Sequence, residues 1–191
     1  MGIYLLSDTH FAHQNIISYS NRPFINTASM DNAIIQNWNS VIGKDDIVYF
    51  LGDFTFGDKD NIMKYASQLN GHKHLILGNH DRQKQLYLDA GFESVHKGTF
   101  LHLPEYSPKC IFLTHKPKID LEAGCVNIHG HIHDHKLDPL MFNVENYFNV
   151  SVDYLLCRTN IKKVYKCPSV GRLLARKNEL CRQCCRQHWQ L

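Results

Sequence analysis

The 191-residue chain lacks any apolar run near the roughly 18 residues that a membrane-spanning helix needs. Its N-terminus also lacks a basic segment followed by an apolar one, the pattern of a secretory signal peptide. Hydrophobic residues make up 43% and charged residues 20% of the chain, which is typical of a sequence that buries a core. We therefore expect a soluble, cytoplasmic protein built around one domain, with no membrane partner.

Acidic residues are nearly absent from residues 158–191, where nine lysines and arginines stand against one acid, Glu179. Residues 1–157 carry 12 basic and 17 acidic residues, so the net charge is −5 before this boundary and +8 after it. The split predicts a domain over 1–157 and a basic, partly helical C-terminal extension over 158–191. An anionic partner and a solvated basic helix face both explain the extension's charge. We expect the extension to tune partner affinity and to carry no chemistry.

The chain also lacks the paired cysteines of a structural zinc site. Four of its seven cysteines lie in the extension near His188, so zinc binding there stays a minor alternative. Only Cys181-x-x-Cys184 is a tight pair, whereas such sites usually have two. An odd number of cysteines without a signal peptide does not predict a disulfide framework. Trp189 is the only aromatic residue after Tyr165, which argues against a nucleic-acid stacking platform in the extension.

Short apolar runs alternate with amphipathic stretches along residues 1–157. Runs rich in β-branched and aromatic residues predict strands over 3–6, 47–51, 74–77, 111–113, 126–129 and 148–152. Apolar positions with helical spacing predict helices over 14–19, 29–42, 60–69 and 83–90. Ser29 is the expected N-cap of the second helix. This alternation is typical of an α/β protein.

Five of the predicted strands end in side chains that can ligate metals, and ligands of open α/β sheets bind at such carboxyl ends. The candidates are Asp8, His10, Asp53, Asn79, His80, His115, His131 and His133. Without His80 they comprise two carboxylates, one amide and four imidazoles. Seven ligands are too many for a single catalytic metal ion with an open coordination position, but they suit two ions that share one carboxylate. A donor set without thiolate favours Mn, Fe, Zn, Co or Ni. Three of these positions follow a glycine, which we expect to let the backbone turn sharply into a cleft.

These residues form an ordered set of motifs that resembles the calcineurin-like metallophosphoesterase superfamily. The motifs are Asp8-x-His10, Gly52-Asp53, Gly78-Asn79-His80-Asp81, His115 and Gly130-His131-x-His133. The resemblance spans residues 8–133 and implies a four-layer αββα sandwich of two mixed sheets flanked by helices.

The resemblance also implies a role for each residue. One metal ion would be held by Asp8, His10, Asp53 and His133. The other would be held by Asn79, His115, His131 and the shared Asp53. His80 would stabilise the phosphoryl oxygens or protonate the leaving group, with Asp81 as its orienting partner. A metal-bridging hydroxide would attack the phosphorus in line.

Departures from the superfamily's protein phosphatases point to a phosphodiesterase. Those enzymes carry Gly-Asp-x-x-Asp-Arg-Gly and Gly-Asn-His-Glu. This chain instead has Gly52-Asp53-Phe54-Thr55-Phe56-Gly57 and Gly78-Asn79-His80-Asp81. The short chain and its opening, 7–17, are more similar to small phosphodiesterase-type members of bacteria and phages. We therefore expect hydrolysis of a phosphodiester rather than a monoester, with manganese among the metals that suit the site.

Two other classes of function stay open: a non-catalytic scaffold with the same fold, and a nucleic-acid-binding protein that uses its basic extension. The completeness of the ligand set favours an enzyme. The substrate class is open as well, because cyclic nucleotides, small diesters and nucleic-acid ends all fit a compact chain.

Three further residues follow strand ends and are candidate substrate contacts: His13, Arg22 and Arg82. His13 could reach a substrate oxygen. Either arginine could bind a phosphate bidentately, although a salt bridge to a nearby carboxylate explains each equally well.

Overall fold

The computed structural model describes residues 1–103 and 110–158. Beyond Arg158, the basic extension with its predicted helix and cysteine cluster lies outside the described residues. Among the described residues, no helix combines the length and apolar character needed to cross a bilayer.

The first sheet contains four parallel strands in chain order: β1 (Ile3–Leu6), β2 (Ile47–Phe50), β3 (His72–Ile76) and β4 (Ser94–His96). Because the strands are parallel, the carboxyl ends of β1, β2 and β3 meet at one edge of the sheet. The sequence did not predict β4, because its three residues are too short to display a period.

The second sheet has the order β5 (Gly98–Leu101), β6 (Cys110–Thr114), β7 (Cys125–His129) and β8 (Tyr147–Asn149). It is mixed, since β5 is antiparallel to β6 and the other pairs are parallel. Cys110 and Cys125 are register partners on β6 and β7, and a disulfide joins them. The sequence did not predict this bond, because the two cysteines become neighbours only through the pairing of the strands.

In the described part of the chain, five α-helices connect or follow the strands: α1 (Gln14–Tyr19), α2 (Thr27–Val41), α3 (Lys59–Ala66), α4 (Lys84–Asp89) and α5 (Val152–Arg158). A short 3-10 helix, Val144–Asn146, precedes β8. The bounds of α1 are as predicted. The prediction of Ser29 as the N-cap of α2 was wrong: Asn26 is the cap, and Ser29 completes a capping box three residues later. The predicted last strand also stops early, at Asn149, and Val152 begins α5 instead.

Successive side chains along a strand point to opposite faces of the sheet, and this alternation divides the hydrophobic core into two parts. One core lies between the first sheet and the helices and contains Phe50, Leu75 and Trp38. The other lies between the two sheets and contains Leu51, Ile76 and residues of β6 and β7. The described helices contribute to the first core or pack on one another. The α/β sandwich of two sheets with flanking helices is thus confirmed.

Candidate metal centre

The predicted ligand residues converge where five strand ends meet. The loop after β1 is tied to the loop after β2 by backbone bonds from Asp8 N to Gly52 O (2.9 Å) and from His10 N to Asp53 O (3.1 Å). The loops after β6 and β7 are tied by a bond from Gly130 N to His115 O (2.9 Å). Residues distant in sequence are therefore held together by the ends of the sheets.

Left-handed backbone conformations are concentrated at these positions. Positive φ angles occur at five of the predicted ligands: Asp8 (60°), His10 (49°), Asp53 (57°), His131 (70°) and His133 (50°). Such conformations are costly for residues other than glycine and persist where the surrounding structure enforces them, often at functional sites. The loops are thus bent so that successive side chains point into one cleft.

The glycines before the ligands are needed mainly because neighbouring loops pack too closely against them for a side chain to fit. The sharp turn that the sequence predicted is the smaller part of their role. A Cβ atom on Gly130 would lie 2.2 Å from Ser7 Oγ and 2.5 Å from Asp8 Oδ2. A Cβ atom on Gly78 would lie 2.2 Å from Asp53 Oδ1. Only Gly52 of the three also has a positive φ, of 90°. Glycine is therefore required for the loops to pack against the carboxylates.

The first cluster of candidate ligand atoms belongs to Asp8, His10 and His133, whose atoms lie within 4.8 Å of one another. Both ring nitrogens of His10 are buried without a hydrogen-bond partner. Burial lowers the pKa of His10 to about 3, so the ring is neutral and retains a lone pair. A buried polar atom without a partner is unusual, and a cation would supply one.

The second cluster contains Asp53, His115 and His131. The Nε2 atom of His115 lies 3.4 Å from Asp53 Oδ2, 3.0 Å from Asn79 Oδ1 and 3.2 Å from His131 Nδ1. The Nδ1 atom of His115 lies 2.8 Å from the carbonyl oxygen of Leu51, which is an acceptor for its proton. This bond orients the ring so that its Nε2 atom faces the other candidate ligand atoms.

Asp53 belongs to the second cluster and also lies beside His10 of the first. Its Oδ2 atom is 3.7 Å from His10 Nε2 and 3.4 Å from His115 Nε2. Burial opposes ionisation of Asp53, but the hydrogen bond and charge of His115 and the amide of His80 hold its pKa below the usual range. The carboxylate is therefore charged, and its Oδ2 atom has an imidazole nitrogen of His10 and of His115 as neighbours.

The structure also supplies a residue that the sequence analysis missed, Asp153. Its Oδ2 atom lies 2.5 Å from His133 Nδ1, so the Nε2 atom of that ring is free to face the cluster. Asp153 follows the last predicted strand, as the other site residues follow theirs. Nothing in the sequence connects it with His133, however, and the contact depends on the fold.

Arg22 pairs with Asp153 and does not face the cleft, so its prediction as a substrate contact was wrong. The guanidinium is buried and donates to Asp153 through Nε (2.7 Å) and Nη2 (2.9 Å). It also donates to the backbone oxygens of Thr9 and Asp8, both at 2.7 Å. A buried charge is tolerated when it is paired and fully hydrogen-bonded, and Arg22 thereby braces the loop after β1.

Asp81 also has a role different from the predicted orientation of His80. Its buried carboxylate accepts hydrogen bonds from the amides of Asp53 (2.7 Å), Gly78 (2.8 Å) and Phe54 (3.2 Å). The fourth donor is the Tyr87 hydroxyl, at 2.6 Å. Asp81 therefore fixes the loops that carry Asp53 and Asn79, and the His80 ring is not among its partners.

His80 is an exposed residue at the mouth of the cleft. Its backbone amide donates to Asp53 Oδ1 (2.9 Å), and its ring centroid lies 5.3 Å from that of His10. The His13 ring packs against Phe56 nearby, and Arg82 is exposed beside His80. The structure thus brings His80, His13 and Arg82 to one side of the ligand clusters.

The chain is similar to archaeal and phage proteins. No family model matches it. It is 35% identical over 185 residues to the uncharacterized protein MJ1445 of Methanocaldococcus jannaschii, covering 93% of this chain and 97% of that protein. It is 28% identical over 156 residues to the Gene 66 protein of Mycobacterium phage L5, covering 66% of this chain and 75% of the phage protein.

Solved structures with a similar fold include a protein of unknown function, AQ665 of Aquifex aeolicus. It has a TM-score of 0.61 and 27% identity, over 80% of this chain and 91% of that one. A novel archaeal phosphodiesterase has a TM-score of only 0.44 and 19% identity, over 79% of this chain and 82% of that one. The Aquifex structure agrees with the two-sheet fold, and the weaker likeness to the phosphodiesterase carries no functional argument.

Proposed function

The chain belongs to the same protein family as MJ1445, and we propose that it is a calcineurin-like metallophosphoesterase that hydrolyses phosphodiesters with two divalent metal ions. The observation that supports this function is the position of the Asp53 carboxylate, which belongs to the cluster of His115 and His131 and also lies 3.7 Å from His10 Nε2 of the other cluster. A carboxylate beside histidines of both clusters suits a pair of ions that share one ligand.

The chemistry of the cleft fits divalent metal ions. The buried nitrogens of His10 have no partner, and a bound cation would satisfy the one that carries the lone pair. Imidazoles, carboxylates and one amide oxygen, without thiolate, favour manganese, iron, zinc, cobalt or nickel.

Each ion would have four protein ligands. The first ion would be held by Asp8, His10, Asp53 and His133, and the second by Asn79, His115, His131 and Asp53. When bound, the ions would lower the pKa of a water molecule and offset the charge of the phosphoryl group. Asp153 and the Leu51 carbonyl oxygen would keep His133 and His115 in the tautomers that the ions require.

We assign the proton transfer to His80. Hydrolysis forms a P–O bond to the water oxygen and breaks the P–O bond to the leaving alcohol, whose oxygen takes a proton from the His80 ring. Solvent then reprotonates the ring and accepts the proton lost by the water. The exposure of His80 at the mouth of the cleft suits this exchange, and a positioned imidazole is a common general acid.

A hydrolysis panel tests this function. Purified protein is stripped with a chelator, reloaded with Mn²⁺, Ni²⁺ or Mg²⁺, and assayed with phosphomonoesters, linear diesters and cyclic nucleotides. We expect metal-dependent turnover, faster with diesters than with monoesters. Protein that binds two ions but hydrolyses none of these compounds would contradict the proposal and favour a scaffold.

An anionic partner for the extension over 158–191 stays a prediction from its charge alone. Of that segment the described residues contain only Arg158, at the end of α5, and the proposed chemistry requires none of it.

A further inference from the structure

A cavity of about 520 Å³ opens beside His80, between the loop after Asp53 and the first turns of α3 and α4. Its walls include Phe56, Lys59, His80, Arg82, Gln83 and Tyr87. The volume falls in the range of about 300–1,000 Å³ that small-molecule sites occupy. His80 also lies within ligand distance of His10 and Asp53, so the cavity adjoins the candidate metal centre.

One wall of the cavity is a fixed aromatic ring. Phe56 is 48% exposed, although large apolar side chains are usually covered. Its ring stacks on His13 with centroids 4.3 Å apart and planes within 10°. Its backbone is held by Phe11 O at 2.8 Å and by Asn61 Nδ2 at 3.0 Å. A rigid, exposed ring of this kind is a stacking surface for a nucleobase.

The cavity also carries an excess of positive charge. Lys59 and Arg82 line it, and neither makes an ion pair with any residue of the described ranges. Asp58 is the only acidic residue among the described lining residues, and its carboxylate caps α3 by accepting from Asn61 N. Two cations against one acid leave a net charge of +1 for an anionic group.

We propose that this cavity binds the leaving nucleotide of the substrate, with its base stacked on Phe56 and its phosphate paired with Lys59 and Arg82. The inference rests on the proposed function, because it takes His80 as the group that protonates the leaving oxygen. Since His80 borders both the ligand clusters and the cavity, a leaving group protonated by His80 extends into the cavity. The preferred substrates are therefore diesters between nucleotides, in which the leaving nucleotide carries a further phosphate.

The test uses the full-length, metal-loaded protein and a set of matched dinucleotides. One dinucleotide carries both bases and a terminal phosphate, a second lacks the base of one nucleotide, and a third lacks the terminal phosphate. The base and the phosphate are each removed at one end and, in a separate compound, at the other. Analysis of the hydrolysis products identifies which nucleotide is the leaving group. For wild-type protein, we expect the base of the leaving nucleotide to raise kcat/KM by about tenfold, the scale of base–aromatic stacking.

Substitutions then assign this selectivity to the cavity. We expect Phe56→Ala to remove the preference for the base-bearing substrate and Phe56→Tyr to retain it, because tyrosine preserves the stacking surface. The matched control is Phe100→Ala, which removes an exposed phenylalanine on β5 outside the cavity lining. We expect Arg82→Gln and Lys59→Gln to reduce the preference for the terminal phosphate by up to about fivefold each. Lys44→Gln, at an exposed lysine outside the cavity lining, is their control.

The outcomes separate this inference from the proposed function. Wild-type protein that hydrolyses all the dinucleotides with equal kcat/KM would overturn the cavity's role and leave the diesterase function intact. A Phe56→Ala variant that keeps the preference for the base, or slows all substrates equally, would also overturn it. Failure of metal-loaded wild-type protein to hydrolyse any diester would contradict the proposed function itself.

Discussion

Replacing Asp53 with asparagine is expected to lower diester hydrolysis by about 10³-fold and to weaken binding of both metal ions. The Oδ2 atom lies 3.7 Å from His10 Nε2 and 3.4 Å from His115 Nε2, beside a histidine of each ligand cluster. Asparagine keeps the size of the side chain and an oxygen that can accept from the His80 amide, but it loses the negative charge. Losing several kcal/mol of charge stabilisation corresponds to this change in rate.

The measurements are kcat/KM for a diester and the metal content of the reloaded protein. Asp45→Asn is the matched control, because Asp45 is exposed in the loop before β2 and lies outside the candidate ligand groups. A fully active Asp53→Asn variant would show that Asp53 is not a shared ligand. Loss of only one ion, with the other bound at its wild-type affinity, would assign Asp53 to a single site.

Replacing His80 with alanine is expected to retain both ions and to slow hydrolysis of a diester with a poor leaving group by about 10²–10⁴-fold. The effect on a nitrophenyl diester should be much smaller, because nitrophenolate leaves with little need for a proton. The backbone amide of residue 80 can still donate to Asp53 in the variant, so the geometry of the carboxylate is maintained.

Metal content distinguishes the possible roles of His80. Its ring also lies within ligand distance of His10 and Asp53, so loss of an ion in the variant would make His80 a ligand and overturn its assignment as an acid. An equal loss of rate with good and poor leaving groups would instead indicate stabilisation of charge on the phosphoryl group. His96→Ala, at an exposed histidine on β4, is the control.

The sequence predicted the location of the candidate site because polar residues follow the ends of five strands within a few positions. Asp8 follows β1 and Asp53 follows β2 after short apolar runs, and parallel pairing alone brings these ends to one edge. The spacing of apolar residues predicted the alternation of helices and strands. The assignment of individual ligands to two ions came from the family resemblance and stays a prediction.

Long-range pairing could not be read from the sequence. Arg22 and Asp153 are 131 positions apart, and each could pair with many other charges until the fold places them together. Asp81 belongs to a recognisable motif, yet its carboxylate binds backbone amides and Tyr87, contacts that no motif encodes. The N-cap of α2 was mispredicted for a local reason: Asn26 and Ser29 are both good capping residues, and the sequence alone does not show which of them is the cap.

Anomalous diffraction from crystals grown with Mn²⁺ would test the two-metal centre most directly. We expect two peaks about 3.5–4 Å apart, with Asp53 contacting both. One peak should lie beside His10 and His133, and the other beside His115 and His131. A single peak at full occupancy, or two peaks of which Asp53 touches only one, would contradict a shared dinuclear centre.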